Sequence, residues 1–442
     1  MNLLEEIKDA GVIGAGGAGF PTHLKLNCNV EYFIINGLEC EPLLQSDKYI
    51  MRNKSDEIIQ AVEEIGRAIE AEHIIIGLKE EYHEEIEALK ASIKKFNSKV
   101  KLHLSRVFYP AGDEQILVYE VTGRTIQPGG IPLNVGAVVS NVGTVFNIFE
   151  ALEEKKVTYK FVTVIGEILM PSIVKVPIGT KVKDVLDKCG GTLIKDYSLI
   201  MGGPMMGRKI SKDQIEDRVI TKTDGAIIVI SENHYLIERE KVTIEHMKNQ
   251  AKSACIQCRF CTDMCPRNLI GHPLNPHKIM RSIALNDLNN EAIKQAIICC
   301  ECGICEMYAC PMGLSPKRIN IYLKGKLRES GQKWENKTNS FTANIMREYR
   351  KVPTNRLIAR LHLDKYKKQK LQEGGEVKPT EVKIPLRQGI GAGAIPVVEV
   401  GDTVEIGQVI ARVEEGKMGS NVHATIRGVI SEISDSIAIK AI

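Results

Sequence analysis

Nine of the chain's twelve cysteines fall between Cys255 and Cys310, and their spacing is the first feature that carries chemistry. Cys255-Ile-Gln-Cys258-Arg-Phe-Cys261-Thr-Asp-Met-Cys265-Pro266 leaves two residues between each of the first three cysteines and three before a Cys-Pro. That spacing lets a compact turn wrap three thiolates around one corner of a 4Fe-4S cubane, while the cysteine before proline leaves the loop and faces a second cluster. A second copy, Cys299-Cys300-Glu-Cys302-Gly-Ile-Cys305-Glu-Met-Tyr-Ala-Cys310-Pro311, keeps the first two gaps and lengthens the third to four residues. By the crossing rule Cys255, Cys258, Cys261 and Cys310 hold one cluster, and Cys299, Cys302, Cys305 and Cys265 hold the other. Paired Cys-x-x-Cys knuckles also make structural zinc sites, so zinc stays as the alternative metal. Cys300 breaks the ligand spacing and reads as a buried neighbour, with ligand swapping as the alternative. Cys28 and Cys189 have no partner motif and read as small core residues. The lengthened loop Glu306-Met307-Tyr308-Ala309 is the candidate for an end exposed to an electron acceptor, against the plainer possibility that it merely packs.

The second chemical feature is the loop Gly14-Ala15-Gly16-Gly17-Ala18-Gly19. Glycines there let backbone N–H groups approach a phosphate without Cβ atoms in the way. No strand clearly precedes Gly14, so the order is not that of the dinucleotide fingerprint, and a purely structural turn remains open.

The elements that must position these groups follow from periodicity. An amphipathic start through Leu3, Leu4 and Ile7 leads into the glycine loop. Then come the strand-like run Tyr32 to Ile35, a helical pattern through Ile58, Ile59, Ala61, Val62, Ile65 and Ala68, and the apolar strand Ile74 to Gly77. This alternation predicts an α/β unit on a mostly parallel sheet. From Lys160 a small mixed β unit is expected, then a helical stretch from about Val242 to Leu327 with the cysteines embedded. Arg347 to Lys370 holds nine Lys or Arg against two acidic residues and reads as a solvated basic connector. From Lys383 short strands with turns at Gly401, Gly407 and Gly428 predict a small independent β sandwich.

At 442 residues the chain is long enough for several domains. Its 43% apolar and 26% charged composition excludes a disordered chain, and its net charge of +4 nominates no nucleic acid. No apolar run reaches the length of a membrane-spanning segment. The acidic start with Glu5, Glu6 and Asp9 is unlike a secretory signal, so a cytoplasmic location is expected. In that reducing setting crowded cysteines favour metal or cluster ligation over disulfides.

Four segments in series carry a family resemblance: Gly14-Ala-Gly-Gly-Ala-Gly-Phe-Pro-Thr-His23, Asn36-Gly-Leu-Glu39-Cys-Glu41-Pro42, Tyr109-Pro-Ala-Gly112-Asp113-Glu114-Gln115 and Val139-Ser140-Asn141-Val142-Gly143-Thr144. The series resembles the NADH-binding flavoprotein subunit of complex I and, more closely, the C subunit of the Rnf complex, over about the first 330 residues. The complex I pattern has Asp where this chain has Leu38 and Gly where it has Cys40, whereas the Rnf type shares Glu-Cys-Glu. The resemblance implies FMN, with Gly14, Gly16, Gly17 and Lys25 on its phosphate side. It places Asn36, Glu39, Asp113, Ser140, Asn141 and Thr144 around the rest of the flavin, and Phe20 and Glu114 toward NADH. No residue is assigned as a catalytic acid, base or nucleophile. The tail Lys383 to Val422-His-Ala424 resembles the Rnf sandwich but stands at the C-terminal end, an order similar to that of the corrinoid (cobalamin) reductases of propanediol-utilising microcompartments. Lys417 imitates a biotinyl lysine, but the sandwich is read as a docking or structural module.

The expected architecture is α/β multidomain. It comprises a Rossmann-like FMN/NADH domain at 1–155, a soluble-ligand-binding β-grasp domain at 156–238 and a helical, ferredoxin-like domain with two 4Fe-4S clusters at 239–345. A basic linker at 346–380 and a barrel-sandwich β domain at 381–442 complete it. The parts form a wire from NADH through FMN and two clusters. The expected acceptor is a corrinoid or a cobalamin-dependent partner protein, in a redox complex or microcompartment. The rival reading is an electron-transfer adaptor of a larger reductase without NADH oxidation of its own. About eight iron atoms per chain are expected after anaerobic purification. Cys300→Ser should leave that content unchanged, whereas near-stoichiometric zinc without iron would refute the cluster assignment.

Overall fold

The computed structural model describes residues 3–287, 289–338 and 340–442. Its first sheet is built from β1 (Tyr32–Asn36), β2 (His73–Lys79), β3 (Lys101–Ser105) and β4 (Ala137–Asn141) in the order β3-β2-β1-β4. Every pairing is parallel. Parallel strands need crossovers, which the helices Ser55–Ala68, His83–Lys95 and Glu114–Thr122 supply. Their apolar faces, among them Ile58, Val62, Ile65 and Leu89, are fully buried with Phe33 and Ile35 of β1. The strand order reverses between β1 and β4, which leaves a crevice at their C-terminal ends. The glycine loop joins the helix Leu3–Asp9 to this sheet, and its one pairing is the isolated bridge Ile13 to Pro21. As expected, it is not a strand-to-helix turn.

The second sheet contains β5 (Tyr159–Gly166), β6 (Ser172–Pro177), β7 (Tyr197–Met201), β8 (Arg208–Ile210) and β9 (Ala226–Ser231). A strand from far downstream, β10 (Gln372–Glu376), adds to its edge beside β6. Helices Ile244–Ala254, Pro276–Ala284 and Pro316–Glu329 then carry the cysteine loops between them.

The basic stretch corrects the expectation of a solvated connector. Val352 bridges Tyr109, the helix Thr354–Arg360 buries Leu357 and Ile358, and Leu361, Leu363 and Tyr366 are buried too. The physical reason is amphipathicity: leucines and isoleucine at helical spacing form an apolar stripe, while most cationic heads stay in water. Two of the cations are not solvated either, since Arg347 and Lys351 both pair with Glu120.

The C-terminal sandwich faces the sheet of β11 (Glu381–Pro385), β13 (Thr403–Val404), β16 (Gly428–Ile433) and β17 (Ser436–Ala441) against a small one of β12 (Ile395–Pro396), β14 (Val409–Arg412) and β15 (Val422–His423). It is not independent as the sequence suggests. Its core residues Val382, Ile384, Val404 and Ile410 belong to one buried cluster with Phe33, Ile35 and Ile178 of the first two units. At the seam Lys222 Nζ donates to the carbonyls of Gly11 at 2.7 Å and Asn421 at 2.9 Å and to Ser420 Oγ at 3.0 Å. The sandwich also backs the glycine loop: a Cβ on Gly389 would stand 2.2 Å from the carbonyl oxygen of Gly19, so only glycine permits this approach.

Burial at this seam pushes the Lys222 ammonium down to about 7. The unfolded chain therefore binds this proton more tightly than the folded one, and the residue's contribution to stability grows as pH rises from about 7 toward the ordinary lysine value. Thermal melts should shift upward over that window, and Lys222→Met should flatten the slope whatever it does to the absolute midpoint.

Candidate functional site

The last residues of β1 and β4, Asn36 and Asn141, are register partners, so the sheet sets two carboxamides side by side at the reversal. Asn141 also caps the helix Val142–Leu152, its Oδ1 accepting from the Gly143 amide at 2.8 Å, while its Nδ2 donates to Asp47 at 2.7 Å. Above them lies a cavity of about 480 Å³ lined by Gly16, Gly17, Asn36, Glu39, Asp113 and Asn141, a size suited to a cofactor. The loop is held from below, with the Ala15 amide donating to Thr144 Oγ1 at 2.9 Å. The exposed amides of Gly16, Gly17 and Ala18 have no acceptor among the described residues. Free amides on a glycine turn fit a phosphate.

The cavity walls are charged and dry. Glu39, Glu41 and Asp47 all line it, and burial raises each carboxyl above its ordinary range, with Asp47 adding repulsion at Glu39. Glu41 accepts the Met205 amide at 2.8 Å on one oxygen, while the other is buried without a partner. Lys160, at the start of the second sheet, reaches across to the Ala15 carbonyl at 3.3 Å, and burial lowers its ammonium. Such a wall can hold protons beside a bound redox ring.

The same cavity is lined by Tyr109 and Cys302. Tyr109 is buried, and its Oη donates to the Cys302 carbonyl at 2.7 Å. Arg267, just after the Cys265-Pro266 pair, donates to Asp113 at 2.9 Å and to Gln115. The second cysteine loop is thereby attached to the cavity wall.

The thiols gather as two quartets. Cys255, Cys258, Cys261 and Cys310 ring one small cavity. Burial, reinforced by the thiolates of Cys310, Cys255 and Cys258, pushes Cys261 up to about 12. Cys265 is raised by burial and by its neighbours Cys300 and Cys299, and Cys305 by burial, Cys299 and Cys265. Thiolates crowded in this way require a cationic centre between them. N–H donors point at the sulfurs: Gln257 at Cys255 (3.1 Å), Glu301 at Cys299 (3.4 Å) and Leu314 at Cys310 (3.4 Å). Among the described residues no three such side chains close at single-ion distance. The donor set and its N–H···S bonds fit 4Fe-4S clusters.

Six of the twelve residues expected around flavin and NADH therefore line the cavity, and six do not. The Gly14 amide bonds the Phe20 carbonyl, Thr144 supports the loop, and Ser140 is buried in β4. Lys25 pairs with Glu114 at 2.7 Å, and Phe20 is exposed on the rim of the glycine loop. Asp47, Lys160, Met206 and Thr223 line the cavity without any local motif that marks them. A larger cavity of about 570 Å³ behind Trp334 holds none of the expected residues.

The loop Glu306 to Ala309 overturns its expectation of exposure. Glu306, Met307 and Ala309 are only 5%, 8% and 6% exposed, packed with Tyr109 and Met205 and tied by Arg239 to Glu306 at 3.0 Å. The added residue serves packing, because the loop closes against the α/β unit and not against water. Cys300 is half-buried, and Cys302 and Arg267 lower its thiol to about 7.

Residues 7–150 match the Nuo51 FMN-binding domain family, 161–209 the SLBB domain, 254–315 the 4Fe-4S dicluster domain and 361–441 the RnfC barrel sandwich hybrid domain. Cobalamin reductase PduS of Salmonella typhimurium is 41% identical over 98% of this chain and 95% of its own. That of Citrobacter freundii is 40% identical with the same coverage. The RnfC-type component of the proton-translocating ferredoxin:NAD(+) oxidoreductase complex of Clostridium ljungdahlii is 35% identical over 66% of this chain and 60% of its own. In fold the chain is similar to the crystal structure of NAD+-reducing [NiFe]-hydrogenase in the H2-reduced state, with a TM-score of 0.51 and 21% identity. The match covers 76% of this chain and 63% of the hydrogenase chain.

The glycine loop makes a sharp prediction. No heavy atom lies within 4 Å of where a Cβ on Gly17 would stand, whereas one on Gly16 would meet Asn141 Nδ2 at 2.8 Å. Gly17→Val should leave the melting temperature of flavin-free protein unchanged and abolish FMN retention; Gly16→Val should lose both. Retained FMN in Gly17→Val would make the loop a structural turn.

Proposed function

We propose a function that proceeds from one premise: the chain belongs to the family of cobalamin reductase PduS. It is an NADH-linked iron–sulfur flavoprotein that reduces cobalamin, with FMN and two 4Fe-4S clusters as its cofactors. The observation that carries the reading is a single cavity lined at once by Gly16 and Gly17 and by Cys302, so that the flavin and cluster sites share a wall.

When bound, FMN supplies the exchange of a two-electron hydride for single electrons that the clusters can carry. In the proposed assignment the amides of Gly16, Gly17 and Ala18 cradle its phosphate, and Asn36, Asn141 and Asp113 orient the ring system. Phe20 and the Lys25–Glu114 pair stand on the rim where the nicotinamide nucleotide approaches. Glu41 and Asp47, with their raised proton affinities, hold protons beside the ring. Gly14, Ser140 and Thr144 support this site from behind and do not touch the ligand, which revises the sequence expectation. Cys255, Cys258, Cys261 and Cys310 hold one cluster; Cys299, Cys302, Cys305 and Cys265 hold the other. Tyr109 and Arg267 keep the second cysteine loop against the flavin wall.

No helix among the described residues is long and apolar enough to cross a membrane. The relatives that belong to ferredoxin:NAD(+) oxidoreductase complexes support a redox partner or complex for this chain. The proposed setting is the cytoplasm, in a microcompartment alongside a cobalamin-dependent enzyme that needs its corrinoid kept reduced.

Under anaerobic stopped-flow, NADH should bleach the flavin first and the clusters next, and hydroxocobalamin should then restore both absorbances. Cys261→Ser and Cys305→Ser should each remove one electron paramagnetic resonance signal. Clusters that reduce with dithionite but never with NADH would favour the adaptor reading instead.

A further inference from the structure

The two quartets differ in what covers them. Cys299, Cys302 and Cys305 are buried behind the flavin cavity wall, whereas Cys255, Cys258 and Cys261 are only half-buried. Over the outer quartet stand Ile256, Phe260 and Met312, exposed by 63%, 52% and 45%. Ile256, Arg259 and Met312 line the same small cavity as the outer thiols, although Met312 comes from a different segment. Single exposed apolar residues are ordinary, but apolar groups gathered above a redox centre are not.

The charge of this face is also one-sided. The Arg259 side chain is 61% exposed, and its nearest carboxylate, Asp263 at 3.9 Å, also faces Arg350 at 3.6 Å. Exposed Lys278 lies near enough that it and Arg259 both depress the proton affinity of His277. Arg350 ties to the same helix a turn whose Ile345 and Tyr349 are 90% and 82% exposed.

We propose that electrons leave the protein through this face, and that its occupant is free cobalamin, docked on Ile256, Phe260 and Met312 with Arg259 at its phosphodiester. The proposal rests on the reductase reading above. The chemistry of the occupant matches: a corrin presents broad apolar surfaces and carries one anionic phosphodiester on its nucleotide tail, as an apolar face with an under-compensated guanidinium requires. One electron leaves the outer cluster, which returns to its oxidised state, and enters Co(III), which becomes Co(II) as an axial ligand departs. The hydride of one NADH thus reduces two cobalamins and releases one proton.

The test uses full-length protein with FMN and both clusters in place. Equilibrium dialysis measures hydroxocobalamin binding to the oxidised protein, and stopped-flow measures reoxidation of NADH-reduced protein by hydroxocobalamin relative to neutral menadione. Phe260→Glu, Met312→Glu and Arg259→Glu should each weaken binding and lower that rate ratio about tenfold or more, with iron content and both paramagnetic signals checked on the same samples. In rapid-freeze samples of the wild type, the outer-cluster signal should vanish before the inner one. Unchanged binding and rates in all three variants would overturn the docking face and leave the reductase reading standing. Failure of hydroxocobalamin to reoxidise the wild-type protein would overturn both, and reoxidation by an acidic electron-transfer protein instead would assign the face to a protein partner.

Discussion

Electron transfer between buried centres falls off steeply with distance, so the structure depends on keeping one seam closed, between the crevice of the parallel sheet and the second cysteine loop. The Tyr109 hydroxyl on the Cys302 carbonyl and the Arg267 guanidinium on Asp113 hold that seam. Both are buried, and a hydrogen bond in a dry setting resists opening because the separated groups find no water. Asp113 is shared: it caps the helix Glu114–Thr122, lines the cavity and receives Arg267. Movement of the cluster unit would therefore disturb the flavin wall directly.

The remaining modules act as braces for this seam. The basic stretch returns from the cysteine helices to the α/β unit, where Val352 pairs with Tyr109 and Leu357 and Leu361 pack in the same buried cluster as Cys302. It then adds β10 to the second sheet. The sandwich approaches from the opposite side, with Gly389 against Gly19 and Ser420, Asn421 and Gly11 around Lys222. The flavin loop is thus clamped between the sheet on one side and the chain's last module on the other. This explains why sequence-distant segments share hydrophobic cores here.

Electrostatics divides the molecule by depth. Around the cavity, Glu39, Glu41 and Asp47 are dehydrated and raised in proton affinity, with Lys160 and Lys79 as the nearby cations. At the outer quartet the balance is reversed: cations face water, and acids there are few. A cavity that favours protons on carboxylates suits a centre that receives hydride, and an outward cationic lip suits an anionic visitor.

The quartet memberships, the glycine loop and the parallel α/β unit were legible in the sequence because each depends on local spacing. Two-residue gaps wrap a loop around one corner of a cluster, alternating apolar runs lie down as strands and helices, and a glycine run frees its own amides. Asn36 and Asn141 were legible only by resemblance; their pairing at the sheet reversal is a consequence of strand order, which no local pattern encodes. Asp47 and Lys160 carried no signal at all, since they reach the cavity from elements whose periodicity records only which face is apolar. The basic stretch and the loop after Cys305 misled for the same reason. Net charge and loop length describe a segment by itself, whereas Leu361 and Glu306 are buried by surfaces contributed from elsewhere in the chain. Local chemistry was therefore written in the sequence, but which cluster faces the flavin and which faces water was decided by tertiary packing, because exposure is a property of what surrounds a residue.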